Sequence, residues 1–414
     1  MTAPIHIICN KSIDGIPRWN WSSNQLPQDV PLSQVYIDEY VPKTWLKSTL
    51  EDDPRLVYTD YNDITPDDQW LYELNWEYQS SNFDSNSTIL DKFLDNSILM
   101  YGLHNGSGYL IVNITMEAWC EDWIIRHIEN FFISKNIPLD RVIYATGALN
   151  AASIFEAKKF NMYPLPALPM ELSSSRNSLQ DSINCLDATH VVKRFLCFNR
   201  AFRPHRVVLL AELSSCNLLD QFYYSFPNYN NGENLIDWVH NKFHNMPNGY
   251  EYMEIIKGIP MPMVLDTNNW GPNLALHHNT DNVYKFYKSS GISVVTETIF
   301  YDEVTFFSEK TFHPIRYSQP FIMVNTFRSL AALKLLGYKT FSDWIDESYD
   351  EIRNPQERLA AIVSLIEDIA KWDDQKFSNF LTESKHICEH NLTVLQASLN
   401  RSYTSHHWDT LFKS

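Results

Sequence analysis

The chain has 414 residues, of which 44% are hydrophobic and 20% charged, and its formal net charge is −17. That length suits two domains, and the composition excludes disordered and fibrous classes. A surface this acidic repels phosphate backbones at long range, which argues against a general nucleic-acid binder and makes any basic cluster stand out.

Residues 1 to about 95 are rich in Asp, Asn, Pro and Trp with weak periodicity, and yield no element assignment. From residue 97 the pattern sharpens. The short apolar runs "SILMYGL" and "GYLIVNI" are separated by a Gly-Ser-Gly turn; the helical stretch "EDWIIRHIENFFISKN", then "RVIYATG" and "ALNAASIFEAKKF" follow. Short β-branched runs alternating with helical stretches predict βαβ units and a parallel sheet.

The polar segment 171–186, "ELSSSRNSLQDSINCL", reads as a linker or exposed loop. Beyond it the spacing predicts a strand at "RFLCF", helices at "PHRVVLLAEL" and "ENLIDWVHNKFH", a strand at "ISVVTETIF", a short helix at "SEKTFHPIRY" and a strand at "PFIMV". Near the end, Asn354, Pro355 and Glu357 supply an N-cap, an N1 proline and a capping-box acid. Leu359, Ile362, Val363, Ile366 and Ile369 then line one helical face. More helix is expected to the C-terminus.

Several classes drop out. None of the eleven glycines builds G-x-G-x-x-G or a Walker A loop, so a phosphate bound here must be held largely by side chains. The six cysteines are widely spaced with no C-x-x-C, so free thiols in a reducing compartment are expected, without zinc ribbon or disulfide framework. The start "MTAPIHIICNKSIDG" lacks a basic region followed by a long apolar core, and no run approaches about 18 apolar residues. A cytoplasmic protein without a membrane span is the expectation. His240 and His244 in "HNKFH", and His277, His278 and Asp281 in "HHNTD", fall short of metal-site patterns, so no metal is expected.

Three stretches hold residues suited to chemistry. In "RFLCFNRAFRPHRVVLLAEL", Arg200, Arg203 and Arg206 crowd between the end of a strand and the start of a helix, a place that favours anions. Salt bridges to the chain's own carboxylates are the plainer use of the same arginines. In "ISVVTETIF", Glu297 sits at a strand exit, where a carboxylate accepts hydrogen bonds from sugar hydroxyls or, alternatively, caps a neighbouring helix. In "FFSEKTFHPIRY", Ser308 is a good N-cap, with Glu309 and Lys310 at the first and second helical positions. Lys310 opposes the helix dipole, a placement that a bound diphosphate at the helix end explains; pairing with an acid such as Asp302 is the alternative.

The segments "NVYKFY", "SVVTETIF" and "FFSEKTFHPIRYSQPFIMV" together resemble the donor-site region of family 10 glycosyltransferases, the α1,3-fucosyltransferases. In that family a Y-K-F segment leads to an acidic residue, an (S/T)-E-K helix and a P-hydrophobic strand. "FLCFNRAFRPHR" looks like the same family's strand, asparagine and arginine at the start of the donor domain. The resemblance covers about residues 190–330; where the family carries F-E-N this chain has T-E-T. "LGYKTFSDWIDESYDEI" is similar to phage-encoded and bacterial relatives.

The resemblance implies an α/β protein of GT-B type, two Rossmann-like domains with parallel sheets facing a central cleft. It would divide into an acceptor-side domain (1–185), a nucleotide-sugar donor domain (186–385) and a C-terminal helical extension (386–414). It further implies a metal-independent sugar transfer from a nucleotide diphosphate sugar, GDP-sugars favoured, to a carbohydrate hydroxyl. The nucleotide sugar is a co-substrate, and no other cofactor is implied. Glu309 and Lys310 match the family's ribose- and phosphate-binding pair, Glu297 the upstream acidic residue, and Arg203 or Arg206 the phosphate-binding arginine; Arg200 and Ser308 complete the donor-binding set. Inversion requires a carboxylate base, for which Glu117, after the run "YLIVNITMEAW", is the candidate, followed by Glu121 and Asp122. Rival readings are transfer to modified bases of phage or bacterial DNA, disfavoured by the net charge, and a non-catalytic binding protein on a degenerate transferase fold.

Overall fold

Runs of apolar, largely β-branched and aromatic residues form the strands of two parallel sheets, as expected where both faces of a sheet are covered. The computed structural model describes residues 5–9, 56–60, 63–75, 95–114, 122–150, 161–164, 190–230, 233–245, 248–260, 280–301 and 303–400. The chain divides into two compact units, Met1–Leu172 with Leu399–Ser414, and Ser173–Ser398.

The first unit carries β1 (Ile5–Cys9), β2 (Leu56–Asp60), β3 (Gln69–Asn75), β4 (Gly108–Ile114), β5 (Val142–Thr146) and β6 (Asn161–Pro164), in the order β2-β1-β3-β4-β5-β6. Every neighbouring pair is parallel. Trp70 of β3, 1% exposed, occupies the space that a Cβ on Gly102 or Gly108 would need. Among the described residues this unit also carries α1 (Ser97–Asn105) and α2 (Asp122–Ser134). α1 corrects the grouping of "SILMYGL" with the strand-like runs. Asn96 caps it by accepting from Ile98 N and Leu99 N at 3.0 and 3.2 Å, and Gly106 ends it at φ 94°. A largely apolar run of seven residues alone fits strand or helix; the caps on either side decide. "ALNAASIFEAKKF" lies mostly outside the described residues.

The second unit opens with β7 (Lys193–Phe198), α3 (Pro204–Ser215) and β8 (Phe222–Ser225), followed by a short antiparallel ribbon, β9 (Tyr229–Asn230) with β10 (Glu233–Asn234). Helices α4 (Leu235–Phe243), α5 (Gly249–Gly258) and α6 (Thr280–Lys288) lead to β11 (Ser290–Thr296), then α7 (Glu309–Arg316) and β12 (Phe321–Val324). Helices α8 (Ser329–Leu335), α9 (Pro355–Ala370) and α10 (Asp374–Asn400) complete it. The sheet order is β12-β11-β7-β8, all parallel. Every residue of β11 and β12 is buried.

This order positions the site. From β7 the chain moves outward through α3 to β8, then returns to the opposite side of β7 to lay down β11. The order reverses between β7 and β11, and in open parallel sheets the crevice beyond the carboxyl ends at such a point is the usual ligand site.

The expected cap of α9 forms: Asn354 accepts from Gln356 N and Glu357 N at 2.9 and 3.2 Å, and the five apolar residues named for its inner face are all buried. α10 runs unbroken across the boundary expected at 385/386, so the predicted C-terminal extension begins inside a longer helix. The linker segment 171–186 lies outside the described residues. Among the described residues, no helix is long and apolar enough to cross a membrane.

Candidate functional site

β11 ends at Thr296, and the residue after it, Glu297, is fully buried. A buried carboxylate needs hydrogen-bond donors, and Glu297 has four. Ser308 N and Thr311 Oγ1 donate to Oε1 at 3.0 and 2.6 Å; Ser308 Oγ and Thr298 N donate to Oε2 at 2.7 and 3.2 Å. Glu297 therefore ties the exit of β11 to the first turn of α7. This is the helix-capping arrangement that the sequence left open as one of two uses of Glu297.

The three arginines, expected to act together, separate. Arg206 is 2% exposed and turns inward, where Nη2 donates to the carbonyls of Thr296 at 2.8 Å and Glu297 at 3.2 Å, and Nη1 to that of Ala201 at 3.2 Å. Burial and the neighbouring Arg203 charge lower its pKa to about 10. His205 joins it, with Nε2 donating to the Glu297 carbonyl at 2.9 Å; burial and then the Arg206 charge hold this imidazole well below its ordinary pKa, so it is neutral. Arg206 thus satisfies backbone carbonyls, two of them at the exit of β11. Arg203, the N-cap residue of α3, is exposed and does not line the cleft described below. Arg200 does line it.

That cleft opens to solvent and lies at the carboxyl ends of β7 and β11. Phe198 and Arg200 form one wall, Val283 and Tyr287 of α6 another, and Glu309, Lys310, His313 and Pro314 of α7 the third; Thr296 and neighbouring β11 residues lie at its base. Phe198 meets Tyr287 edge to face at 5.8 Å, and Tyr287 stacks on Tyr317 at 4.3 Å, so the aromatic wall is braced from behind. Deeper, Asn199 is fully buried. Its Oδ1 accepts from Thr296 Oγ1 at 2.6 Å and its Nδ2 donates to Cys197 Sγ at 3.2 Å, linking the two strand exits.

The start of α7 follows the sequence expectation. Ser308 caps it, with Oγ accepting from Lys310 N at 3.3 Å, and Glu309 and Lys310 take the first and second positions. Asp302 lies outside the described residues; Lys310 Nζ donates to Glu309 Oε1 at 2.7 Å and Ser308 Oγ at 3.1 Å. Both side chains remain about a quarter exposed, at 27% and 25%. Burial works to raise the Glu309 carboxyl, but the Lys310 charge and hydrogen bond, together with His313, hold it well below the usual carboxylate range.

The cleft therefore combines an arginine, a lysine, a histidine and a helix start with an aromatic wall. Such a combination suits a ligand with an anionic part and a flat or ring-shaped part. Sequence reasoning missed Phe198, Tyr287 and His313. His313 was legible, since it stands one helical turn beyond Glu309, whereas Tyr287 comes from a helix remote in sequence.

Glu117 and Glu121 lie outside the described residues, and Asp122 begins α2. The rings of His240 and His244 lie 6.0 Å apart on an exposed face of α4, and among the described residues no group of three His, Cys, Asp or Glu is arranged to hold a metal ion. Compared with known proteins, the chain matches no protein-family model and no curated protein.

Proposed function

We propose that the protein is a glycosyltransferase of GT-B type that moves a sugar from a nucleotide diphosphate sugar, a GDP-sugar in preference, to a carbohydrate hydroxyl. The observation that supports this reading is the cleft at the β7/β11 reversal, where Arg200, Lys310 and the amino end of α7 face an aromatic wall formed by Phe198 and Tyr287.

In this reaction an acceptor hydroxyl attacks the anomeric carbon, the bond from that carbon to the diphosphate oxygen breaks, and a nucleoside diphosphate departs with the bonding pair. The barrier falls when positive groups already stand where that charge develops. Arg200 and Lys310 fill that role, aided by N–H groups at the start of α7. To do so Lys310 exchanges one of its two present acceptors for a phosphate oxygen, while Glu309 becomes available to the ribose hydroxyls. The aromatic wall carries the base. Arg206 and Glu297 act as positioning residues, fixing the β11 exit and the α7 start against each other. The hydroxyl proton goes to a carboxylate base in an inverting mechanism, with Glu117 as the candidate. The protein works in the cytoplasm, and no metal is assigned to the step.

A melting-temperature screen against GDP, UDP and dTDP tests the reading. GDP is expected to raise the melting temperature, and Lys310→Ala to remove most of the rise. A transfer assay with nucleotide sugars then separates enzyme from binder. No shift with any of the three nucleotides, together with no turnover, rejects the transferase and leaves the non-catalytic reading. Retardation of duplex DNA at low salt favours a DNA acceptor instead.

A further inference from the structure

His313 has no role in the family resemblance, yet it lines the same cleft as Arg200, Glu309 and Lys310. It stands four residues after Glu309 and three after Lys310, spacings that bring side chains to one face of a helix. Its ring is half-buried, and its charge is one of the influences that hold the Glu309 carboxyl down. It also lies in the last turn of α7, where the helix dipole favours a cation.

The charges around it make its protonation consequential. Facing the cleft are Arg200 from the segment after β7, the Tyr287 phenol from α6, and Glu309 and Lys310 from its own helix; β11 contributes no ionisable group to the wall. Arg316, further along α7, is buried, as are Arg206 and Glu297 behind the wall, and His205 is held neutral. Counted over the described residues that line the cleft, Arg200 and Lys310 against an ionised Glu309 leave one net positive charge, whereas the diphosphate of a nucleotide sugar carries two negative ones. A protonated His313 makes up the difference.

We propose that His313 is the proton-dependent cation of the cleft: as an imidazolium it hydrogen-bonds the diphosphate of a nucleotide sugar, so that ligand uptake draws a proton onto the protein. This rests on the donor-site reading above and adds to it a pH dependence carried by one residue. The sign is fixed by linkage. A bound diphosphate raises the imidazole's pKa, so affinity is greatest below the free group's pKa and falls as pH rises through the range between the free and bound values. As residue types, carboxylates titrate below that range and arginine, lysine and tyrosine above it.

The test is calorimetric titration of the full chain with GDP-mannose and UDP-glucose from pH 5.5 to 8.5, in buffers of differing ionisation enthalpy. Nucleotide sugars are the right probes because, unlike free GDP, they have no terminal phosphate that itself titrates near neutrality. Affinity is expected to fall by about tenfold across the range, with proton uptake on binding near neutral pH. In His313→Gln both effects should vanish, and in His313→Lys affinity at pH 8.5 should match that at pH 5.5. If the wild type binds with no pH dependence, or the dependence persists in His313→Gln or His313→Lys, the role of His313 is overturned while the donor site stands. If neither probe binds at any pH, the donor-site reading falls and this inference falls with it.

Discussion

The segments 199–206 and 297–313 bring positive charge to the same edge of the same sheet, yet they use it in opposite ways. Arg206 turns inward onto the carbonyls of Ala201, Thr296 and Glu297, while Lys310 stays at the cleft wall, held by Glu309 and Ser308. The difference lies in what the backbone needs. At the exit of β11 the chain leaves the ladder, and its buried carbonyls require donors that the sheet no longer supplies. A guanidinium, with its fork of N–H groups, serves several carbonyls at once. The same device recurs at Arg358, whose nitrogens donate to the carbonyls of Phe300, Asn325, Ile352 and Arg353. At the start of α7 the backbone instead presents N–H groups, which Ser308 and Glu297 partly satisfy, leaving Lys310 at the cleft.

Substitutions on the two sides should therefore separate stability from binding. The largest loss is expected from Arg206→Met, which keeps volume but strands buried carbonyls; a fall of about 2–4 kcal/mol in unfolding free energy, measured by urea denaturation, is the expected outcome. Glu297→Gln should cost about 1–3 kcal/mol in the same assay, because an amide cannot accept from all four present donors. Arg200→Ala, in the cleft wall, should change stability by less than about 0.5 kcal/mol while weakening GDP binding about tenfold or more, read by calorimetry. If Arg200→Ala and Arg206→Met instead alter binding and stability alike, the contrast between the two segments fails.

A smaller effect sharpens the inward side. His205 is held neutral in the fold but binds a proton once unfolded, so the unfolded state takes up more protons below the ordinary histidine pKa. Its contribution to stability is thus present above about pH 6.5 and lost as pH falls below it. Thermal melts from pH 7.5 to 5.5 should show a shallower decline in His205→Gln than in the wild type, and an equal decline would contradict the buried, neutral assignment.

Much of the second unit was legible in the sequence. The β7, β11 and β12 runs are apolar and bounded by polar residues, and α7 and α9 announce themselves through Ser308 and Asn354. The reversal of strand order was not readable, because β8 is a four-residue strand, "FYYS", hidden behind a short 3₁₀ turn, and pairing partners leave no local mark. Nor was the direction of each arginine. Arg200 and Arg206 differ in outcome because one follows the strand and the other lies within α3, where the inner face of the helix carries it under the β11 exit. In the first unit β4 and β5 were legible as the runs "GYLIVNI" and "RVIYATG", whereas the weak periodicity before residue 95 concealed β1, β2 and β3.

The most direct test of the account is a crystal structure of the protein grown with GDP. The diphosphate is expected beside Arg200, at the amino end of α7, with Lys310 moved from Glu309 onto a phosphate oxygen and the base against Tyr287 and Phe198. GDP bound elsewhere on the chain, or an empty cleft at saturating GDP with the Glu309–Lys310 pair intact, would contradict it.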